Sequence, residues 1–274
     1  MELRTVRDQM GFAIQVPPRP QRIISLVPSL TEYLHDLGLE SRIVGITKFC
    51  VHPNHFRKTK TIVGGTKNFK PEIIQALQPD LIVANKEENE KEKLLFLKNQ
   101  GLPVWISDVK DYDSAIEMMQ LLGDVCGTPE AAHALLRDVE KARKWLKTPS
   151  DRVPTLYLIW RRPYMTVNHS TFIHHMMALC GMQNVFADHP DRYPTLSEQE
   201  IRQAHPTLVV LSSEPYPFNE KHKDEIAKLL PNSAIFLADG EMFSWYGSRM
   251  IEAFRYLENV RAQIIAPLFT SLQK

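Results

Sequence analysis

The sequence predicts an α/β protein of two lobes joined by one long helix. Three observations carry that reading. Short apolar runs of strand type alternate with helical segments through the first half of the 274-residue chain, the pattern of a parallel sheet covered on both faces. The stretch from Pro129 to Lys147 then contains no helix breaker. Beyond it the alternation resumes. The boundaries expected on this basis are 1–127 for the N-terminal lobe, 128–148 for the connecting helix and 149–274 for the C-terminal lobe.

Each element has a local reason. Ile23 to Val27 is a buried type of strand that Pro28 ends. Ser29 followed by Glu32 has the spacing of a capping box, which predicts a helix from there to about Leu37, with Gly38 as its stop. Strands are expected at Arg42–Thr47, Thr61–Val63, Leu81–Ala84 and Pro103–Ile106, and helices at Pro71–Leu77 and Glu87–Asn99. Thr128 with Pro129 behind it reads as the start of the long helix. Leu135, Leu136, Val139, Ala142 and Leu146 give that helix one apolar stripe. The second half offers Thr155–Trp160, Phe172–Leu179, Leu208–Leu211, Ala234–Leu237 and a last helix from Ser248 to Gln263. A weak repeat lays Glu72–Ala84 on Gln199–Leu211, a short helix, a proline and an apolar strand in each.

Composition narrows the class. Hydrophobic residues at 43% and charged residues at 24% belong to a globular chain that buries a core. The net charge of +1 lacks the basic excess of a nucleic-acid binder. Cys50, Cys126 and Cys180, three and far apart, suit neither a disulfide framework nor a zinc knuckle and read as reduced, buried thiols. No apolar stretch near Met1 has the form of an export signal, and Ile23–Val27 is too short to span a bilayer. As written, the chain is expected in the cytoplasm and not inserted in a membrane.

In open α/β sheets ligands bind beyond the carboxyl ends of the strands. The loops after the apolar runs therefore supply the candidate ligand contacts. They are Pro28, Ser29, Phe49, Cys50, Gly65, Thr66 and Lys86 in the first half. In the second they are Trp160, Arg161, Tyr164, Glu214, Tyr216, Phe218, Ser244, Trp245 and Tyr246. Aromatic residues on proline-stiffened loops suit a large, flat, partly apolar ligand, and equally the plugging of a core rim. Arg161, Arg162 and Arg249 can bind carboxylates or phosphates, or form ion pairs. His174 and His175 are adjacent, so on a helix they point about 100° apart and cannot share one ion easily. A resident metal site is not expected; one axial histidine on a macrocycle-held metal stays open. No phosphate loop, nucleophile elbow or spaced carboxylate pair argues for catalysis. Gly64–Lys67 reads as a tight turn.

Together the run from Arg22 to Glu32, the segments Val44–Thr47 and Val63–Gly65, and Glu72 through Pro79 to Ala84 resemble the cobalamin and iron-siderophore substrate-binding proteins of ABC importers. Asp239–Gly240 and Phe243–Arg249 resemble the closing segment of their cobalamin-type branch. The resemblance runs from about Thr5 to the last helix. It implies two Rossmann-like lobes with mainly parallel sheets on a rigid connecting helix, one metal chelate (cobalamin or another corrinoid, haem or a ferric siderophore) held in a cleft between them, and no catalysis or intrinsic cofactor. It also implies a permease dimer as partner, met by one exposed glutamate on each lobe, and a place outside the cytoplasm. Glu72 is the N-lobe acid. Its counterpart, seven residues before Pro206, is Gln199, with Glu198 and Glu200 on either side. The missing export signal and this glutamine depart from the family pattern. A cytosolic chelate carrier or sensor, and a tetrapyrrole metal chelatase on a related scaffold, are the competing readings.

Overall fold

The computed structural model describes residues 2–147, 149 and 151–272. It divides the chain into two compact units. The first holds Met1–Val109, Asp113–Val139 and Tyr246–Arg249; the second holds Lys110–Tyr112, Glu140–Trp245 and Met250–Lys274. A short segment near the C-terminus therefore belongs to the N-terminal unit, which a linear division at residue 127 does not anticipate. Thr148 and Ser150, where the connecting helix was expected to end, lie outside the described residues.

The first unit opens with an antiparallel hairpin, β1 (Arg4–Arg7) and β2 (Ala13–Val16). There follow β3 (Ile23–Ser25), α1 (Pro28–Asp36), β4 (Ile43–Ile46), α2 (Phe56–Thr59), β5 (Thr61–Ile62), α3 (Pro71–Ala76), β6 (Leu81–Asn85), α4 (Lys91–Asn99) and β7 (Val104–Ser107). Five strands make one parallel sheet in the order β5-β4-β3-β6-β7. Strands β3, β6 and β7 are buried at every position, as a sheet covered on both faces requires. Ile24, Leu26, Ile82 and Val104 join Ile74 of α3 and Leu94 and Leu97 of α4 in its core.

Two helices follow, α5 (Tyr112–Val125) and α6 (Pro129–Trp145). Ala115, Met118, Met119, Leu122 and Val125 put a buried stripe on α5, which the sequence reading passed over. A Cβ on Gly123 would lie 2.3 Å from that of Ala132, so α5 and α6 meet where only hydrogen fits.

The second unit contains β8 (Val153–Leu158), β9 (Tyr164–Met165), α7 (Phe172–Cys180), β10 (Met182–Asn184), β11 (Thr195–Leu196), α8 (Glu198–Gln203), β12 (Leu208–Ser212), α9 (Glu220–Leu229), β13 (Ala234–Ala238), α10 (Glu241–Ser244), α11 (Met250–Val260) and α12 (Ala266–Leu272). A π-helical stretch, Arg261–Ile265, lies between the last two. The parallel sheet runs β10-β8-β12-β13, and β9 pairs with β11 separately. Leu156, Leu158, Val209 and Leu211 pack with Ile201 of α8 and Ile226 and Leu229 of α9.

The repeat is visible in three dimensions. Helices α3 and α8 are both six residues long, and each leads into a central parallel strand. Gln78 and His205, each just before its proline, both adopt left-handed backbone, at φ 46° and 44°. A residue preceding proline is steered away from the helical region, so both helices end at the same step.

Several boundaries differ from expectation, as where β8 runs Val153–Leu158 and α6 ends at Trp145; three concern the starts of helices. Helix α1 begins at Pro28 with Val27 as its N-cap and no side-chain cap. Proline at the first helical position already has the right φ and needs no amide partner, so the chain turns helical one residue early and Ser29 is buried inside the first turn. Helix α4 starts at Lys91, because Asn85 and Asn89 hold the preceding turn: Asn85 Oδ1 accepts from the amides of Glu87 and Glu88, at 2.8 and 3.1 Å, and Asn89 Oδ1 from that of Asn85. The last helix starts at Met250 and continues beyond Gln263 through the π-helical stretch.

Candidate functional site

In the second unit the carboxyl ends of β8, β12 and β13 lead into the loops at Trp160, Ser213–Phe218 and Asp239–Gly240. Trp160 closes the β8–β9 turn: its carbonyl accepts from the Met165 amide at 3.1 Å, and Ile159 N donates to Met165 O at 2.9 Å. The residue remains 39% exposed. It meets Tyr216 edge-on at 5.7 Å, and Tyr216 meets Phe218 at 4.8 Å. His222 lies 5.4 Å from both rings, and its Nε2 is 3.1 Å from the Tyr216 hydroxyl. Because His222 Nδ1 accepts the Asn219 amide, the neutral ring carries its proton on Nε2 and donates to that hydroxyl. One exposed aromatic is thus backed by two others and a histidine.

Beside these loops sits a carboxylate in an enclosed setting. Glu214 Oε1 accepts from Ser244 Oγ at 2.5 Å and from Trp245 Nε1 at 2.9 Å. Burial raises its pKa, only partly offset by those two donors. Gly240 makes room for it: a Cβ there would fall 2.5 Å from both Glu214 Cγ and Ser212 Oγ. Ser212 in turn accepts from Tyr157 at 3.2 Å and donates to Glu214 O at 2.6 Å.

Several expected contacts are occupied elsewhere. Arg161 forms a bidentate pair with Glu225, and the Tyr164 hydroxyl donates to the same carboxylate at 2.5 Å. The pair with Arg161 holds the Glu225 carboxyl down to about 2. Tyr164 and Phe218 belong to the core of the unit. Trp245 is only 6% exposed and Tyr246 is buried, so neither presents a face as Trp160 does.

In the first unit Pro28 and Cys50 are buried outright. The Cys50 thiol lies 3.0 Å from Thr31 Oγ1 and 3.3 Å from Thr47 Oγ1, and burial pushes its pKa up. Cys126 and Cys180 are likewise free and buried, each pushed up to about 12, and chemically quiet. Phe49 is 51% exposed with Lys48 over its ring, and a Cβ on Gly65 would meet that ring at 3.3 Å. Lys86 pairs with Asp108 at 2.8 Å, and the Thr66 carbonyl accepts from Asn89. The Tyr246 hydroxyl is buried, and that burial raises its pKa well above the usual tyrosine range. Arg249 pairs with Glu32, whose carboxylate was expected to serve as a cap.

The sequence reading missed Glu32, His222 and Glu225 as site-forming residues. Arg161 and Glu225 are 64 positions apart, and no local spacing announces such a pair. The histidines also disperse: His169 Nδ1 bonds Ala187 O, and His174 lies 3.3 Å from Asn184 Nδ2. Among the described residues no group of His, Cys, Asp and Glu side chains could hold a metal ion.

The expected docking residues differ in state. Glu72 is exposed in the first turn of α3 and Gln199 is exposed on α8. Glu200 is engaged: its carboxylate accepts from the Ser197 amide at 2.8 Å while Ser197 Oγ caps the Glu200 amide at 3.2 Å. That capping box lowers the Glu200 pKa.

Comparison with known proteins gives a consistent picture. A family model described as periplasmic binding protein matches residues 23–232. The vitamin B12-binding protein of Yersinia pestis (strain Pestoides F) is 29% identical over 198 residues, 70% of this chain and 69% of that one. Among solved structures, the periplasmic vitamin B12 binding protein BtuF of Vibrio cholerae superposes with a TM-score of 0.76 at 21% identity, covering 90% of this chain and all of that one. The periplasmic heme-binding protein RhuT from Roseiflexus sp. RS-1 gives 0.76 at 21% identity, over 88% of this chain and 97% of that one. These similarities show a shared fold. No helix among the described residues is long and apolar enough to cross a membrane.

Proposed function

The chain belongs to the periplasmic binding protein family, and from that membership we propose that it binds a metal chelate, a corrinoid such as cobalamin first, and delivers it to an ABC-type permease. The family consists of substrate-binding proteins rather than enzymes, so the ligand leaves chemically unchanged. The observation that carries the reading is Trp160, an exposed indole backed by Tyr216 and Phe218 at the carboxyl end of a parallel sheet. A broad ring system buries large area on such a surface at little entropic cost, since the aromatic wall is held before binding. Support for a corrinoid comes from the curated relatives named as vitamin B12-binding proteins. Haem and ferric chelates are the related candidates, and a haem-binding protein shares the fold.

Titrating purified protein with cyanocobalamin, haem and a ferric hydroxamate, and following the visible spectrum, tests the proposal. Saturable binding of the corrinoid at one equivalent supports it. Saturation by haem alone or by the ferric chelate alone would move the ligand within the chelate class. Failure of all three would end the chelate reading.

A further inference from the structure

Helix α9 carries Lys221, Asp224, Glu225, Lys228 and Leu229 along one face, spaced three, four, seven and eight residues from the first. These side chains line one side of a cavity of about 460 Å³. Arg162, Glu198 and Arg202 line the rest, with Tyr164.

The charges in this cavity sort into pairs and a remainder. Glu225 is paired with Arg161 and accepts a hydrogen bond from the Tyr164 hydroxyl. Arg202 faces Glu198 at 3.6 Å and spends another donor on the Leu229 carbonyl at 2.7 Å. Arg162 helps to lower the Glu225 pKa as well. With Arg161 counted beside the lining, Arg161, Arg162, Arg202, Lys221 and Lys228 face Glu198, Asp224 and Glu225, five cations less three anions, an excess of two positive charges. Arg162 also sits in the left-handed backbone region at φ 60°. Non-glycine residues rarely adopt that conformation, and here the residue so held lines the cavity.

We infer that this groove is a binding site for a small, elongated polyanion of the oligophosphate or polycarboxylate type. Length follows from the helix: Lys221 and Lys228 are seven residues apart, roughly 10 Å at 1.5 Å per residue. An elongated anion meets both ammonium groups as they stand, whereas a single phosphate would have to draw the two long side chains together. Leu229 and Tyr164 are the only apolar or aromatic side chains in the lining, and the Tyr164 hydroxyl is committed to Glu225. A ligand with a large aromatic group therefore finds no surface there, and charge supplies the recognition.

Calorimetric titration of the full chain at low salt, with tripolyphosphate, tricarballylate and inorganic phosphate, tests the site. Saturable binding of either elongated anion at one site per chain, tighter than inorganic phosphate, is expected, and the two arms decide between phosphate and carboxylate. Arg162→Gly, which also relieves the backbone, and Lys221→Gln and Lys228→Gln should each weaken it about two- to fivefold. Lys223→Gln should leave it unchanged, because Lys223 pairs with Glu220 outside the cavity. Thermal melts establish that each variant is folded. The inference is overturned if neither elongated anion saturates, if inorganic phosphate binds as tightly as both, or if Lys223→Gln weakens binding as much as the lining variants. Cobalamin titration of the Lys221→Gln and Lys228→Gln variants should be unchanged, which separates this site from the proposed chelate site.

Discussion

Arg249 closes on Glu32 as a two-point ion pair, although 217 positions of chain separate them. Both lie in the first unit, Arg249 in the short segment that returns to it, Glu32 in helix α1. Neither is well exposed, at 9% and 16% for the side chains. Gly247 lies beside the same helix at φ 91°, where a Cβ would approach Tyr33 Cβ to 3.1 Å. The segment is thus fixed on α1 by one charge pair and one glycine.

Removing one partner of a largely buried pair strands the other charge, which costs about 3 kcal/mol. Arg249→Met should lower stability in urea by about that amount. The double variant Glu32→Gln with Arg249→Met should recover part of the loss, since no charge is left behind. An Arg249→Met chain with the wild-type midpoint would show that the pair contributes little.

Two tryptophans expected to act alike should behave differently. Trp160→Ala removes exposed surface and should weaken chelate binding by about 1–3 kcal/mol with little change in melting. Trp245→Ala empties a buried site and strips a donor from Glu214, so it should cost about 3–5 kcal/mol of stability. Parallel melting and titration of both variants decides this. Equal effects on binding with no loss of stability in Trp245→Ala would contradict it.

Glu214 makes stability depend on pH in a defined direction. Burial raises its folded pKa above the ordinary value of 4.5. Such a carboxyl keeps its proton in the folded chain after the unfolded chain has lost it. Its contribution is therefore full below 4.5 and is lost as pH rises through the folded value. Glu214→Gln should flatten the decline in urea stability above pH 4.5, gaining on the wild type as pH rises. Glu32, also raised mainly by burial, contributes a decline of the same sign in both chains. Parallel profiles would remove Glu214 as the source.

Permease docking, if it uses inherited acids, rests on Glu72. Glu72→Ala should strongly reduce capture of a permease or uptake in vesicles, and Gln199→Ala should do little. Glu200→Ala should have an intermediate effect and should also cost about 1 kcal/mol of stability through the lost capping box. Capture that is insensitive to Glu72→Ala would show that the docking geometry is not in use.

The sequence alone determined the alternation of strands and helices, the two-part α/β architecture, the long helix from Pro129 and the family resemblance. These signals are local: apolar runs, prolines at helix starts, glycines at stops. Which loops follow the carboxyl ends of the strands is legible too, since that needs only strand order and direction. Tertiary structure decided which side chains in those loops stay available. Arg161 is taken by Glu225, Arg249 by Glu32, Trp245 by Glu214 and Glu200 by Ser197, while Trp160 remains exposed. Only the last of these pairings, a capping box three residues wide, has a spacing that sequence can display. The others join residues tens or hundreds of positions apart, where charge and hydrogen-bond partners are chosen by how sheets and helices pack. The start of α1 at Pro28 shows the same limit at short range: Ser29 and Glu32 had the cap spacing, but the proline before them and the buried arginine beside them set a different use for both.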